Sequence, residues 1–175
     1  MRSGWPLPKL PQPGPAHRAL RAHGSASPLT EAAVQTNHGI EGDWHSRANT
    51  SAQLTLIEEE ALERAAWTLD RAIPTGASRR QVVVRGLPLN PTVGKCLPNG
   101  EVKLEVVMRC DPCDRMERTI GSGARAALEG RGGIRTRVRQ GGMLRVGDPV
   151  VVLDPVPAEI RSHRHSVSTL RPASA

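Results

Sequence analysis

The sequence predicts a mainly β protein with a few helices, closed into a β-barrel or bent into a folded antiparallel sheet. Three observations predict it. Short apolar–polar alternations recur along the middle of the chain, as in Val102, Leu104 and Val106 against Lys103 and Glu105, and Ile134, Thr136 and Val138 against Arg135, Arg137 and Arg139. Turn signals such as Pro98-Asn99-Gly100 and Gly147-Asp148 separate them. Only one stretch has the 3–4 spacing of a buried helix face. A barrel would also remove exposed sheet edges.

Five Pro fall within residues 6–15, where the missing N–H and fixed φ exclude helix and inner strand, so residues 1–15 are expected to form a disordered basic tail. A folded domain is expected over 16–154, and a flexible basic tail over 155–175. Thr30–Thr36 reads as a weak strand, and 37–42 as a turn leading to Asp43, Trp44 and His45. Gln53–Ile57 reads as a better strand. Residues 58–71 form the one convincing helix, with Glu58 to Glu60 at its positive end and Ala61, Leu62, Ala65, Ala66 and Leu69 on its apolar face. Gln81–Arg85 is a Val-rich strand. Gly94–Leu97 and Glu101–Val107 flank the Asn-Gly turn as a hairpin, because that dipeptide accepts φ > 0. Asp114–Ile120 is helical in pattern, and a last strand is expected over Pro149–Leu153.

Composition removes several classes of function. The 175 residues include three Trp and no Phe or Tyr, which argues against a reader of single-stranded nucleic acid built on stacked aromatics. The formal charge of +7 sits mostly in the ends: residues 1–27 carry +4, residues 156–175 carry +2, and the 128 between them only +1. Basic solvated tails account for it, and a nucleic-acid-binding domain is not implied. No apolar run approaches the ~18 residues of a membrane span. Three Cys and a Pro-rich start without the apolar stretch of a secretory leader lead us to expect a cytoplasmic protein with at least one free thiol.

The sharpest local feature is Cys110-Asp111-Pro112-Cys113, between a strand and a helix start. A Cys there has its thiolate favoured by free N–H groups, and Arg109, Arg115 and Arg118 add positive charge nearby. A buried structural pair, a redox C-x-x-C and part of a metal site remain open readings. The redox reading lacks the βαβ alternation of thioredoxin-like folds. A zinc site needs about four ligands, with only Cys96 or His45 to add. Gly39-Ile40-Glu41-Gly42-Asp43-Trp44-His45 suggests a tight turn whose Asp43 and His45 either enter a pocket or fix the loop. Arg79-Arg80 at a strand entrance suits an anion or plain solvation. The Gly-rich turns near 130–133 and 140–142 carry neither a P-loop nor a dinucleotide fingerprint.

Taken in order, GIEGDWH (39–45), QLTLIEEEALE (53–63), SRRQVVVRGLPLNPTVGKCL (78–97), CDPCDRMER (110–118), LEGRGGIRTRV (128–138) and GGMLRVGDPV (141–150) resemble the MOSC domain, named for the C-terminal domain of molybdenum cofactor sulfurases. The resemblance covers roughly residues 16–154. It implies a MOSC-type β-barrel with a pocket for molybdenum cofactor, a molybdopterin. Cys113 corresponds to the family's key Cys, which ligates molybdenum or carries sulfur as a persulfide. Cys110 is not given that role. Arg79, Arg80 and Gln81 look like the anion-binding segment, with Gln81 standing where the family often has Asn. Gly42, Asp43 and His45 look like pocket wall. The chain has no pyridoxal phosphate site, and it resembles the small stand-alone bacterial-type members. The implied function is molybdenum-dependent redox chemistry or sulfur transfer. The alternatives are a non-catalytic carrier of cofactor or sulfur, serving a redox or sulfur-donor partner protein, and a C-x-x-C thiol–disulfide oxidoreductase.

Overall fold

The computed structural model describes residues 16–22, 25–43, 46, 48, 50–74 and 76–154. Both expected tails, Trp44 and His45 lie outside the described residues. Among the described residues ten strands run in chain order: β1 (Ala16–Ala22), β2 (Ser25–Leu29), β3 (Glu31–Gln35), β4 (Gly39–Ile40), β5 (Leu54–Glu58), β6 (Val82–Val84), β7 (Cys96–Asn99), β8 (Val102–Arg109), β9 (Ile134–Gln140) and β10 (Gly142–Arg145). The helices are α1 (Glu59–Thr68), α2 (Asp114–Ile120) and α3 (Ala124–Ala127). A seven-stranded sheet of order β2-β1-β6-β5-β9-β8-β7 curls into a half-barrel beside a three-stranded sheet, β10-β3-β4. The chain is mainly β with three helices among the described residues, as the sequence predicts. No helix of the described residues is long and apolar enough to cross a membrane.

Strand alternation sorts the sheet into two faces. Leu54, Leu56, Val82, Val84, Leu97, Val102, Leu104, Val106, Ile134 and Val138 point inward and form the main core, closed by Val34, Ile40 and Leu144 of the smaller sheet. The intervening residues point outward. There Ile57 and Val83 meet Ala61, Leu62 and Ala65 of α1, Met116 of α2 and Leu128 in a second core. β5, α1 and β6 form a single βαβ unit, the one parallel pair in the large sheet, with Leu56 opposite Val82.

The helix α1 stops at Thr68, short of the expected Arg71. Asp70 takes a left-handed φ of 47°, which cannot continue a right-handed helix. The hairpin β7–β8 turns at Gly100 as expected, with φ 58°. The last expected strand, Pro149–Leu153, is only two isolated bridges, Asn99 to Val150 and Cys96 to Leu153. Between them Val151 donates to the carbonyl of Pro98, and Pro98 has no N–H to return the bond. The short α3 was not anticipated; the Glu117 carboxylate accepts from the N–H groups of Gly123 and Arg125 at 2.7 and 2.6 Å and so starts it.

The two sheets are tied by Gln53, which is fully buried. Its amide donates to the Asn37 carbonyl and side chain, and its Oε1 accepts from Val138 N–H at 2.8 Å. Gly39 packs so closely on this junction that a Cβ would lie 2.4 Å from the Gln53 carbonyl oxygen. Leu56, wholly buried at the centre of the main core, tests this architecture. Leu56→Ala is expected to lower the unfolding free energy by about 2–5 kcal/mol in urea titration, through lost burial and the cavity left behind.

Candidate functional site

Thr55 and Arg135 are cross-strand partners on β5 and β9, and Gln81 stands beside Thr55 at the start of β6. Strand alternation puts all three on the outward face that Ile57 and Val83 share. The helices cover the Ile57–Val83 part and leave this part open. The result is a cavity of about 350 Å³ lined by Thr50, Ala52, Thr55, Ser78, Arg79, Arg80, Gln81, Cys110, Cys113, Arg115, Met116 and Arg135. Five sequence-derived candidates therefore meet in one place: Cys113, Arg79, Arg80, Gln81 and the neighbouring Cys110.

Cys113 is exposed and occupies the N-cap position of α2 with extended backbone, φ −127° and ψ 170°. Its partial burial pushes the thiol pKa up. The N–H groups of Met116 and Arg115, and the charges of Arg80 and Arg115, outweigh that and hold it below the ordinary thiol value. The sequence credits Arg109, Arg115 and Arg118 with this effect; Arg115 lines the cavity and acts on the thiol, whereas Arg109 and Arg118 are exposed and do not line it.

The adjacent arginines divide. Arg80 is buried, and its guanidinium donates to the carbonyls of Gly132 (2.7 Å), Cys110 and Asp111 (3.1 Å each), so it clasps the loop before α2 to the lead-in of β9. Gly132 permits this approach: a Cβ there would lie 2.5 Å from the Cys110 carbonyl oxygen and from Pro112 N. Arg79 has φ 59°, a left-handed conformation uncommon for a residue other than glycine, and its Nε is buried without a hydrogen-bond partner. Burial and then the Arg115 charge lower its pKa, partly offset by the Cys113 and Asp43 charges.

Gln81 is buried and held at both ends of its amide. Its Oε1 accepts from the Thr55 N–H at 2.9 Å and from the Thr55 hydroxyl, and its Nε2 donates to Asp43 at 3.2 Å. Asp43 is itself buried and does not line the cavity; it meets the lining at Gln81, and its charge acts on Arg79. Gly42 is exposed, with φ 77°, and does not line the cavity. Cys96 is buried in β7 and does not line it either; burial raises its pKa. Among the described residues no group of three or more His, Cys, Asp or Glu could hold a metal ion on its own.

Thr55, Met116 and Arg135 enter the site without having been candidates from sequence. Arg135 carried a usable signal, because it sits in the same alternating strand whose other face is core. Its Nε donates to the Cys110 sulfur at 3.3 Å, and that contact raises its pKa.

No curated protein matches the chain. Its fold is similar to that of the YuaD protein from Bacillus subtilis, at 18% identity and TM-score 0.65, over 82% of this chain and 98% of that one. It is similar to YiiM from Escherichia coli, at 19% identity and TM-score 0.63, over 83% and 72% of the two chains. YiiM from Geobacillus stearothermophilus gives 17% and 0.61, over 86% and 80%. Identities this low speak for fold alone. The MOSC domain family model matches residues 23–151, most of the chain and all of the cavity lining, and the chain belongs to the MOSC domain family.

Proposed function

We propose that the cavity binds molybdenum cofactor, with Cys113 as the sulfur that ligates the metal or carries transferable sulfur, in molybdenum-dependent redox chemistry or sulfur transfer. The observation that carries this reading is the pairing, in one cavity, of an exposed thiolate-favouring Cys113 with a buried, unpartnered Arg79 Nε. The first supplies the soft donor that a thiophilic metal prefers. The second supplies a donor that an anionic group, such as the pterin's phosphate, would satisfy. A volume of about 350 Å³ lies in the range of small-molecule sites.

When bound, the group would supply a metal centre for atom or electron transfer. The chain's own residues do the rest. Arg79 and Arg115 present positive charge to the anionic end. Gln81, with its carbonyl committed to Thr55 and one N–H to Asp43, offers a fixed amide edge rather than a mobile one. Arg80, its donors turned to the three carbonyls, holds Cys113 at the cavity mouth and contributes charge. Three free cysteines suit a reducing, cytoplasmic setting, and a redox or sulfur-donor partner protein would complete either activity.

Protein purified natively from a host that makes the cofactor tests the reading by metal analysis. Cys113→Ser is expected to lose bound molybdenum, and Cys110→Ser to keep most of it. Full metal content in Cys113→Ser would overturn the ligand assignment. Arg79→Ala is expected to weaken cofactor retention by about tenfold or more, the worth of one charged hydrogen bond.

The thiol itself gives a measurement free of any cofactor. Alkylation by iodoacetamide should begin at Cys113, with a pH midpoint below that of an unperturbed thiol. The Arg115 cation favours the thiolate, so Arg115→Ala should move the midpoint up; a midpoint that stays put would show that charge to be irrelevant.

A further inference from the structure

We propose that Cys110 and Cys113 form a peroxide-sensitive redox pair in which Cys113 is oxidised first and Cys110 resolves it to a disulfide. Cys110 has no part in the function proposed above, yet the structure places it at the same cavity. Only two residues separate it from Cys113, and both line the cavity wall. Their exposures differ in the way such a pair requires: Cys113 is exposed to an incoming oxidant, whereas Cys110 is 4% exposed and shielded from it.

The surroundings treat the two sulfurs as one unit. Arg135 Nε donates to the Cys110 sulfur at 3.3 Å, and the charges of Arg80 and Arg135 act on both cysteines. Arg80 meanwhile donates to the carbonyls of Cys110 and Asp111 and anchors the Cys110 end of the pair, so closure requires movement at the Cys113 end. Cys96, buried in β7 away from the cavity, is the third thiol and the internal control.

The chemistry balances with a hydroperoxide as oxidant. The Cys113 thiolate attacks the distal oxygen; the S–O bond forms, the O–O bond breaks, and the alkoxide or hydroxide leaves and takes up a proton. The Cys110 thiolate then attacks the Cys113 sulfenic sulfur; the S–S bond forms and the oxygen departs as water. Two thiols lose two hydrogens, and the hydroperoxide becomes an alcohol, or water, plus water. A dithiol reductant reverses the change. Oxidation would withdraw the Cys113 sulfur from a metal, a consequence that rests on the proposed cofactor reading; formation of the disulfide does not.

The test uses metal-free full-length protein and hydrogen peroxide. Trypsin releases residues 110–115 as one peptide that holds both cysteines and not Cys96. The expected result is that this peptide loses the mass of two hydrogens, resists alkylation, and recovers both properties on treatment with dithiothreitol. In Cys110→Ser, Cys113 should instead run on to sulfinic and sulfonic acid, at least about tenfold faster than in the unmodified chain. Irreversible oxidation of Cys113 at equal rates in both proteins, or a disulfide to Cys96, would overturn the pair. Because the readout is sulfur mass without metal, failure here leaves the molybdenum reading standing, and failure of that reading leaves this result intact.

Discussion

The buried guanidinium of Arg80 is the contact on which the site depends. A cation taken out of water is costly unless its donors are met, and here three carbonyl oxygens from two separate stretches of chain meet them. The same bonds satisfy carbonyls of the Cys110–Asp111 loop and of Gly132 that the strands leave free. One side chain therefore joins the end of β8, the start of β9 and the entrance of β6, and the sulfur of Cys113 emerges where these meet. The absence of a Cβ at Gly132 is what lets the two backbone segments come close enough to share it.

The cavity itself follows from an economy of coverage. The outward face of β5 and β6 is apolar at Ile57 and Val83 and polar at Thr55 and Gln81, two residues back along each strand. The helices pack where the face is apolar, because burial of Ala61, Leu62, Ala65, Met116 and Leu128 there is favourable. They leave the polar part open. A second relay of hydrogen bonds stiffens that opening: Gln53 fixes the turn at Asn37, the loop beyond it brings in Asp43, and Asp43 holds the amide of Gln81. The smaller sheet thus reaches the site through contacts rather than by lining it.

Much of the fold was legible from residue order. Alternation in 102–106 and 134–138, the Asn-Gly turn and the 3–4 spacing after Glu58 each report a local constraint, and each appears as an element. What escaped was non-local. The strands β1 and β2 carry no marked alternation and form through pairing with β6 and with each other. The four-residue α3 depends on a carboxylate from another helix. The last strand failed because its neighbour happens to present a Pro. At the site, Cys113, Arg79 and Gln81 were legible as a pattern, but the different tasks of Arg79 and Arg80 were not, since adjacent identical residues give no clue to which one turns inward.

By itself the sequence determined periodicity, turns, the thiol at a helix start and membership of an ordered set of motifs, because each of these is written in short-range spacing. The tertiary structure decided which of the charges act on the thiol. Arg115, two residues away, was legible and does act on it, but Arg80 and Arg135 lie 33 and 22 residues from Cys113 along the chain, whereas Arg109 and Arg118, only four and five residues away, do not line the cavity. Electrostatic influence falls with distance in space and with exposure to water, and both are set by how strands far apart in the chain come to lie side by side.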